Sequence, residues 1–472
     1  MTRRLCKPET VERRPTAEVG PHVSGNLRSI DRRTFLQRAA AAAACAAIGP
    51  LPRVSARQAV LPNRLLIMSD DLGYGDLGIT GRTDYATPVL DALAREGVRM
   101  SQAYAAAPVC TPTRVALLTG RYPARTSTGL YEPLTSQPTG LPVAPPTLGR
   151  LIKARGYETA LIGKWHLGLL PEYHPYRHGF DEFYGFLGAA ADYASHVDTE
   201  MLQDYFYDGD KPARVEGYLT DLLTERAVQF IRRPRQVPFF LNLQYNAPHW
   251  PWQAPGDPPY ADLRHASAGG SPQIFARMVQ RMDEGIGRVL DTLRQRGLER
   301  DTLVVFTSDN GGERFSHMGP FRSGKMTLYE GGIRVAAFVR WPGTIAAGGT
   351  CEQPCITMDW TATLLARAGA TAPRNAPPDG IDLLPVLTGS SPVPRDLYWR
   401  ITQRAKFKAL RSGDWKYLAA GDDEFLFDLA ADRSETTDRK ASQPDVYARL
   451  KGRYAEWERS VLPPIALEPR AR

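Results

Sequence analysis

From Asn63 onward, short apolar runs alternate with amphipathic stretches. Apolar runs bounded by turn formers predict buried strands, of which Arg64-Leu65-Leu66-Ile67-Met68 is the first and residues 159–162, 238–244 and 302–307 are others. Between them lie helix signals. Thr87-Pro88 opens one helix, with Thr as cap and Pro in the first turn, and Gly97 ends it. Thr111-Pro112 opens another that closes at Gly120, and residues 274–296 carry the period of a long amphipathic helix. Strands alternating with crossover helices predict an α/β fold: a large, mostly parallel sheet sandwiched by helices.

The pattern changes after the Pro-rich stretch 372–378 and the turn Asp379-Gly380. Short strand-like runs at 397–401, 407–411, 415–418 and 425–429, separated by Gly, Asp and Lys, predict a small antiparallel sheet with 446–461 as its covering helix. The expected organisation is a leader over 1–56, a main domain over 57–371, and a smaller C-terminal α+β domain over 372–472. A chain of 472 residues exceeds what one compact core usually holds, which agrees with two folded parts.

Charge first suggests a nucleic-acid partner, because the formal net charge is +8. Residues 1–56 hold ten of the 59 Lys and Arg but only four of the 51 Asp and Glu, so the remainder carries +2. The basic excess sits in the leader, and no footprint for nucleic acid remains. That leader reads Asp31-Arg32-Arg33-Thr34-Phe35-Leu36-Gln37, then an apolar run over 39–48, then Val54-Ser55-Ala56. It resembles a twin-arginine export signal, which implies the twin-arginine machinery as a partner and a periplasmic or secreted product. The apolar run is too short for a stable membrane span, which takes roughly 20 residues.

Of five cysteines, Cys6 and Cys45 lie in the leader, leaving Cys110, Cys351 and Cys355. Cys351 and Cys355 either pair or stand as small buried residues; Cys110 is then unpaired.

Candidate chemistry gathers just after predicted strands: Asp70-Asp71, Lys164-Trp165-His166, His249, and Asp309-Asn310. Ligands of open parallel sheets bind at the carboxyl ends of strands, so four stretches are expected to converge on one crevice. Asp70, Asp71, Asp309 and Asn310 offer hard oxygen ligands suited to Ca²⁺ or Mg²⁺ rather than zinc. Gly73-Tyr74-Gly75-Asp76-Leu77-Gly78 matches the dinucleotide fingerprint, but no amphipathic helix follows and two carboxylates beside a pyrophosphate would repel it. Tyr193, Tyr218, Trp250 and Trp252 lie in long loops, where they either stack on a sugar or aryl ring or pack locally.

Cys110-Thr111-Pro112-Thr113-Arg114 leads into Leu117-Leu118-Thr119-Gly120-Arg121. This C-x-P-x-R pattern resembles the signature of formylglycine-dependent sulfatases of the alkaline phosphatase superfamily, with Thr113 where that family more often has Ser or Ala. Gly163-Lys164-Trp165-His166, Pro248-His249, Asp309-Asn310-Gly311-Gly312, Lys325 before Tyr329-Glu330-Gly331-Gly332, Asp379 to Leu384, and Leu426-Phe427-Asp428-Leu429 resemble further family stretches.

The resemblance implies that a formylglycine-generating maturation enzyme oxidises Cys110 to an aldehyde, which also joins the metal ligands. Its hydrate would attack the sulfur of a sulfate ester, with Asp309 as base, and Arg114 and Lys164 would hold it. Lys325 and His249 would bind sulfate oxygens, with Lys164 also at the substrate, and help protonate the leaving group. His166 would take the proton whose loss expels sulfate. Two alternatives stand beside this: a phosphonate monoester or phosphodiester hydrolase on the same site, and a non-catalytic sulfated-glycan binding protein in which Cys110 stays a thiol.

Overall fold

The computed structural model describes residues 61–465 apart from 136–137, 204–205 and 404–405. The leader and its twin-arginine pattern lie outside the described residues. Strands, numbered along the chain, are β1 (Asn63–Ser69), β2 (Val98–Met100), β3 (Ala103–Tyr104), β4 (Glu158–Lys164), β5 (Glu182–Phe186), β6 (Phe206–Asp208), β7 (Lys211–Pro212), β8 (Phe239–Gln244), β9 (Thr302–Ser308), β10 (Phe338–Arg340), β11 (Gly349–Cys351) and β12 (Cys355–Ile356). In the C-terminal part they are β13 (Asp396–Ile401), β14 (Phe407–Ser412), β15 (Trp415–Ala420) and β16 (Asp423–Asp428). The longer helices are α1 (Pro88–Glu96), α2 (Cys110–Thr119), α3 (Leu219–Arg232), α4 (Pro272–Gln295), α5 (Thr357–Ala368) and α6 (Pro444–Arg459).

Ten strands form one sheet in the order β11-β2-β10-β9-β1-β8-β4-β5-β6-β7. Its centre is parallel: β1 pairs with β8 and β9, and β4 pairs with β8 and β5. The alternation of side chains along β1 explains the two-faced burial. Leu65 and Ile67 face a core shared with α1, α3 and α4, whereas Leu66 and Met68 face one shared with α2 and α5. Antiparallel pairing is confined to β10 on one side and β6 and β7 on the other. The C-terminal sheet runs β13-β14-β15-β16, antiparallel throughout. It buries Trp399, Leu418 and Leu426 in a third core with Ala116 and Tyr122 from the region of α2, and Trp457 of α6 closes that core.

Two details differ from the sequence reading, and one alternative it left open is decided. The helix expected from Thr111 begins at Cys110, with Val109 in extended conformation before it. Thr87 precedes α1 as expected but does not cap it with its side chain. Asp283 of α4 does so instead, its carboxylate accepting from the N–H groups of Val89 (3.0 Å) and Leu90 (2.8 Å). Cys351 and Cys355 are buried free thiols rather than a pair.

Among the described residues no helix is long and apolar enough to cross a membrane. The loop aromatics pack locally: Tyr193 is buried, stacks on Tyr218 and donates its hydroxyl to the carbonyls of Asn246 and His249. Trp250 lies against the His249 ring, and Trp252 meets Phe315 edge to face.

Candidate active site

Strands β9, β1, β8 and β4 are consecutive neighbours, and the polar clusters follow their carboxyl ends. Asp70-Asp71 leave β1, Lys164 ends β4 with His166 just beyond, His249 lies past β8, and Asp309-Asn310 leave β9. Two of these residues, Asp71 (φ 61°) and His166 (φ 57°), have left-handed backbone. Each such conformation in a non-glycine residue costs on the order of 1–3 kcal/mol, and here it turns a side chain back toward the crevice. Against these strand ends, α2 delivers Cys110 at its first turn, where free N–H groups favour an anion.

The side chains form one connected polar centre. Lys164 Nζ lies 2.5 Å from Asp70 Oδ2, and Cys110 Sγ lies 3.5 Å from Asp70 Oδ1. Arg114 donates through Nη2 to Asp309 Oδ2 (2.9 Å) and through Nη1 to Gln244 Oε1 (2.9 Å) and the Lys164 carbonyl (3.3 Å). Asp309 Oδ1 accepts from the Asp71 N–H at 3.2 Å. Asp71 accepts from Asn310 Nδ2 (2.7 Å) and Lys325 Nζ (2.5 Å), and His249 Nε2 stands 3.5 Å from its Oδ2. Lys325 also reaches Glu313 Oε1 at 3.4 Å. His166 sits at the edge of this set, with Nε2 2.8 Å from the Leu134 carbonyl.

Burial sets the protonation states. It pushes the Cys110 thiol well above its ordinary range despite the nearby Lys164 charge, so the unmodified residue is a thiol rather than a thiolate. Burial and the negative Asp70 lift Asp309 to about 7 against the pull of Arg114. Asp71 is driven the other way: burial raises it, but the Lys325 and Lys164 charges overcome that and hold it well below the carboxylate range. Burial, then the Lys325 charge, bring His249 down to about 3, so its imidazole is neutral.

The donor set fits a divalent cation. Ligand atoms of Asp70, Asp71, Cys110 and His249 all lie within 4.8 Å of one another. Asn310 Oδ1 is buried and has no hydrogen-bond partner among the described residues, an orphaned acceptor beside two carboxylates. Asp309 lies outside that mutual set of four, and its oxygens accept from Arg114 and the Asp71 N–H. His249, expected at the substrate, falls inside it. Four carboxylates, Asp70, Asp71, Asp309 and Glu313, face three cations, Arg114, Lys164 and Lys325, a balance that an added divalent cation would turn positive.

All ten residues singled out in the sequence therefore meet in one region. Sequence reading missed Gln244, Glu313 and the Leu134 carbonyl. Gln244 had a signal, a polar residue ending an otherwise apolar buried strand; the other two had none, since they lie in loops without period.

Comparison with known proteins gives the class. The Sulfatase family profile matches residues 62–370. Steryl-sulfatase of Mus musculus is 38% identical over 432 residues, covering 73% of this chain and 66% of the relative. N-acetylgalactosamine-6-sulfatase of Homo sapiens is 36% identical over 362 residues, covering 72% and 68%. This chain thus spans about two thirds of the length of these relatives. The solved structure of Ps i-CgsB in complex with k-i-k-neocarrahexaose is similar with a TM-score of 0.79 at 31% identity, covering 87% of this chain and 95% of that one. The chain belongs to the sulfatase family, whose enzymes hydrolyse sulfuric esters.

Proposed function

We propose that this chain is a metal-dependent sulfatase that hydrolyses sulfate monoesters, of an aryl alcohol or a glycan, through formylglycine made from Cys110. The observation that carries the reading is the place of Cys110: buried in the first turn of α2, within C-x-P-x-R, and 3.5 Å from Asp70 Oδ1. A buried thiol held protonated is a poor nucleophile, which supports conversion of Cys110 to a different attacking group.

Asp70, Asp71, Asp309, Asn310 and the modified Cys110 would hold a divalent cation, Ca²⁺ or Mg²⁺, with His249 at hand. The cation supplies charge to stabilise developing anionic oxygens. Formylglycine supplies, once hydrated, one hydroxyl to attack sulfur and a second whose deprotonation expels sulfate.

The chain's own residues do the remaining work. Asp309, held by Arg114 beside position 110, would take the proton of the attacking hydroxyl. Arg114 fixes Asp309, and Lys164 fixes Asp70, so both cations also present N–H groups beside position 110. Lys325 and His249 hold the sulfate oxygens, and Lys325 is the proton source for the leaving alcohol. His166 uses Nδ1 to accept the proton released on sulfate departure.

Residues 57–371 would form the catalytic domain and 372–472 the C-terminal subdomain. Residues 1–56 would direct export by the twin-arginine machinery to the periplasm or beyond, with a formylglycine-generating enzyme as the maturation partner. N-terminal sequencing of exported protein tests the leader: a chain retaining Arg32 and Arg33 would overturn it.

The activity is tested by comparing kcat/KM on an aryl sulfate and an aryl phosphodiester. The reading expects preference for the sulfate. The opposite order would assign the site to phosphonate monoester or phosphodiester hydrolysis, and binding of sulfated glycan without turnover of either would assign it to retention.

A further inference from the structure

Lys325 lies on a loop that is costly to hold. Its neighbours Ser323 (φ 64°) and Met326 (φ 69°) both adopt left-handed backbone, which non-glycine residues keep only when their surroundings over-determine them. On the active-site side the Lys325 N–H donates to the Gly312 carbonyl at 3.0 Å, and the loop base is closed by Gly331 N–H to the Arg322 carbonyl at 2.9 Å. The Met326 N–H is also held by the Pro108 carbonyl at 2.8 Å. Further tethers, at the two ends of the loop, come from a turn about a hundred residues later, just beyond β16, in the C-terminal part of the chain.

That turn presents Glu435. Asp432 accepts from the N–H groups of Thr436 (2.7 Å) and Thr437 (2.8 Å), and Glu435 itself has left-handed backbone at φ 53°. Its side chain is fully buried. Oε2 accepts from the Glu330 N–H at 2.6 Å, at the start of the helical turn Glu330–Ile333. Oε1 pairs at 2.8 Å with Lys416 Nζ from β15, and the same ammonium reaches Glu330 Oε1 at 2.9 Å. The Glu435 carbonyl accepts from Arg322 Nη1 at 3.0 Å, and the neighbouring Ser434 hydroxyl donates to the Pro320 carbonyl at 2.6 Å. The two ends of the Lys325 loop are thus bound to one buried glutamate and its neighbour.

We infer that Glu435 is a positioning residue for Lys325: through its carboxylate on Glu330 and its carbonyl on Arg322 it fixes the strained loop that aims the Lys325 ammonium at the sulfate group. This rests on the proposed role of Lys325 in holding sulfate. A purely structural glutamate would not need to clasp both ends of this loop while its charge is compensated from the C-terminal sheet. Burying such a carboxylate is costly unless paired, and the pairing with Lys416 is what permits it.

The test uses matured full-length enzyme and inorganic sulfate as the probe, measuring its inhibition constant together with KM and kcat on an aryl sulfate and the melting temperature. Glu435→Ala is expected to weaken sulfate binding and raise KM by about tenfold to a hundredfold, as Lys325→Ala does. The double variant is expected to be no worse than Lys325→Ala alone, because both remove one interaction. Glu435→Gln, which keeps an acceptor for the Glu330 N–H, is expected to recover part of the sulfate affinity.

If Glu435→Ala does not fold, Arg322→Met cuts the carbonyl tether from the exposed side and carries the same expectation, again without additivity to Lys325→Ala. A lowered melting temperature with unchanged KM and sulfate inhibition in the folded variants overturns the inference. If Lys325→Ala itself leaves sulfate binding intact, the assigned role of Lys325 fails, and the inference fails with it.

Discussion

His166 Nε2 lies 2.8 Å from the Leu134 carbonyl oxygen, and that contact decides which nitrogen can act. A carbonyl only accepts, so Nε2 carries the hydrogen and Nδ1 keeps the lone pair. Nδ1 is buried with no hydrogen-bond partner among the described residues, and burial together with the Lys164 charge holds the ring neutral. His166→Ala is therefore expected to leave attack on sulfur largely intact but to slow sulfate release, giving a burst followed by slow turnover in stopped-flow assays. Cys110→Ser goes further: serine lacks the second hydroxyl, so a covalent sulfate should persist and be visible in the intact mass. Wild-type turnover by Cys110→Ser would rule the scheme out.

Arg114 is fully buried and its guanidinium is divided between Asp309, Gln244 and the Lys164 carbonyl. Removing it strands a buried carboxylate pair, so Arg114→Ala should cost about 3–5 kcal/mol in urea unfolding as well as most activity. Gln244→Leu removes one neutral acceptor from a charged donor and should cost about 1–3 kcal/mol. Equal unfolding free energies for the two variants would show that the ion pair with Asp309 is not what holds this residue.

Removing the divalent cation should destabilise the fold, because Asp70, Asp71 and Asp309 then repel one another in a buried site. Titrating Ca²⁺ or Mg²⁺ back into chelated protein should raise the melting temperature, with about 2.7 kcal/mol regained at a hundredfold excess over Kd. Asn310→Ala should weaken that cation response without removing a charge. A melting temperature indifferent to chelator and to both cations would exclude the assigned centre.

The convergence of these residues was legible in the sequence because strand period and strand-end chemistry are local. Leu65 to Met68 announce a strand, and whatever follows it must lie at the carboxyl edge where β8, β4 and β9 also end. What escaped has no local period. Strands β3, β7 and β12 are two residues each, too short to alternate visibly, and they form only because neighbouring elements bring partners to them. The cap of α1 was read as Thr87 since caps are usually sequence neighbours; the acting group, Asp283, comes from a helix far along the chain. Glu435 was equally invisible, because its partners Glu330 and Arg322 lie about a hundred residues away.

Asp283 also predicts a pH effect. Burial lifts it to about 6, against the pull of the Leu90 and Val89 N–H groups, from an ordinary value of 3.8. Between those values the folded chain holds a proton that the unfolded chain has released, so this contribution to stability is full below about pH 4 and is lost as pH rises through about 6. The difference in unfolding free energy between wild type and Asp283→Asn should shrink over that window by roughly 2–3 kcal/mol. A constant difference would place the Asp283 proton elsewhere.

The most direct test is the mass of the tryptic peptide spanning residues 100–114, which ends at Arg114, taken from protein that turns over an aryl sulfate. The account predicts that the Cys110 CH₂SH has become CHO in the active fraction, with the aldehyde captured by a hydrazide probe. An intact cysteine in protein of full specific activity would contradict it.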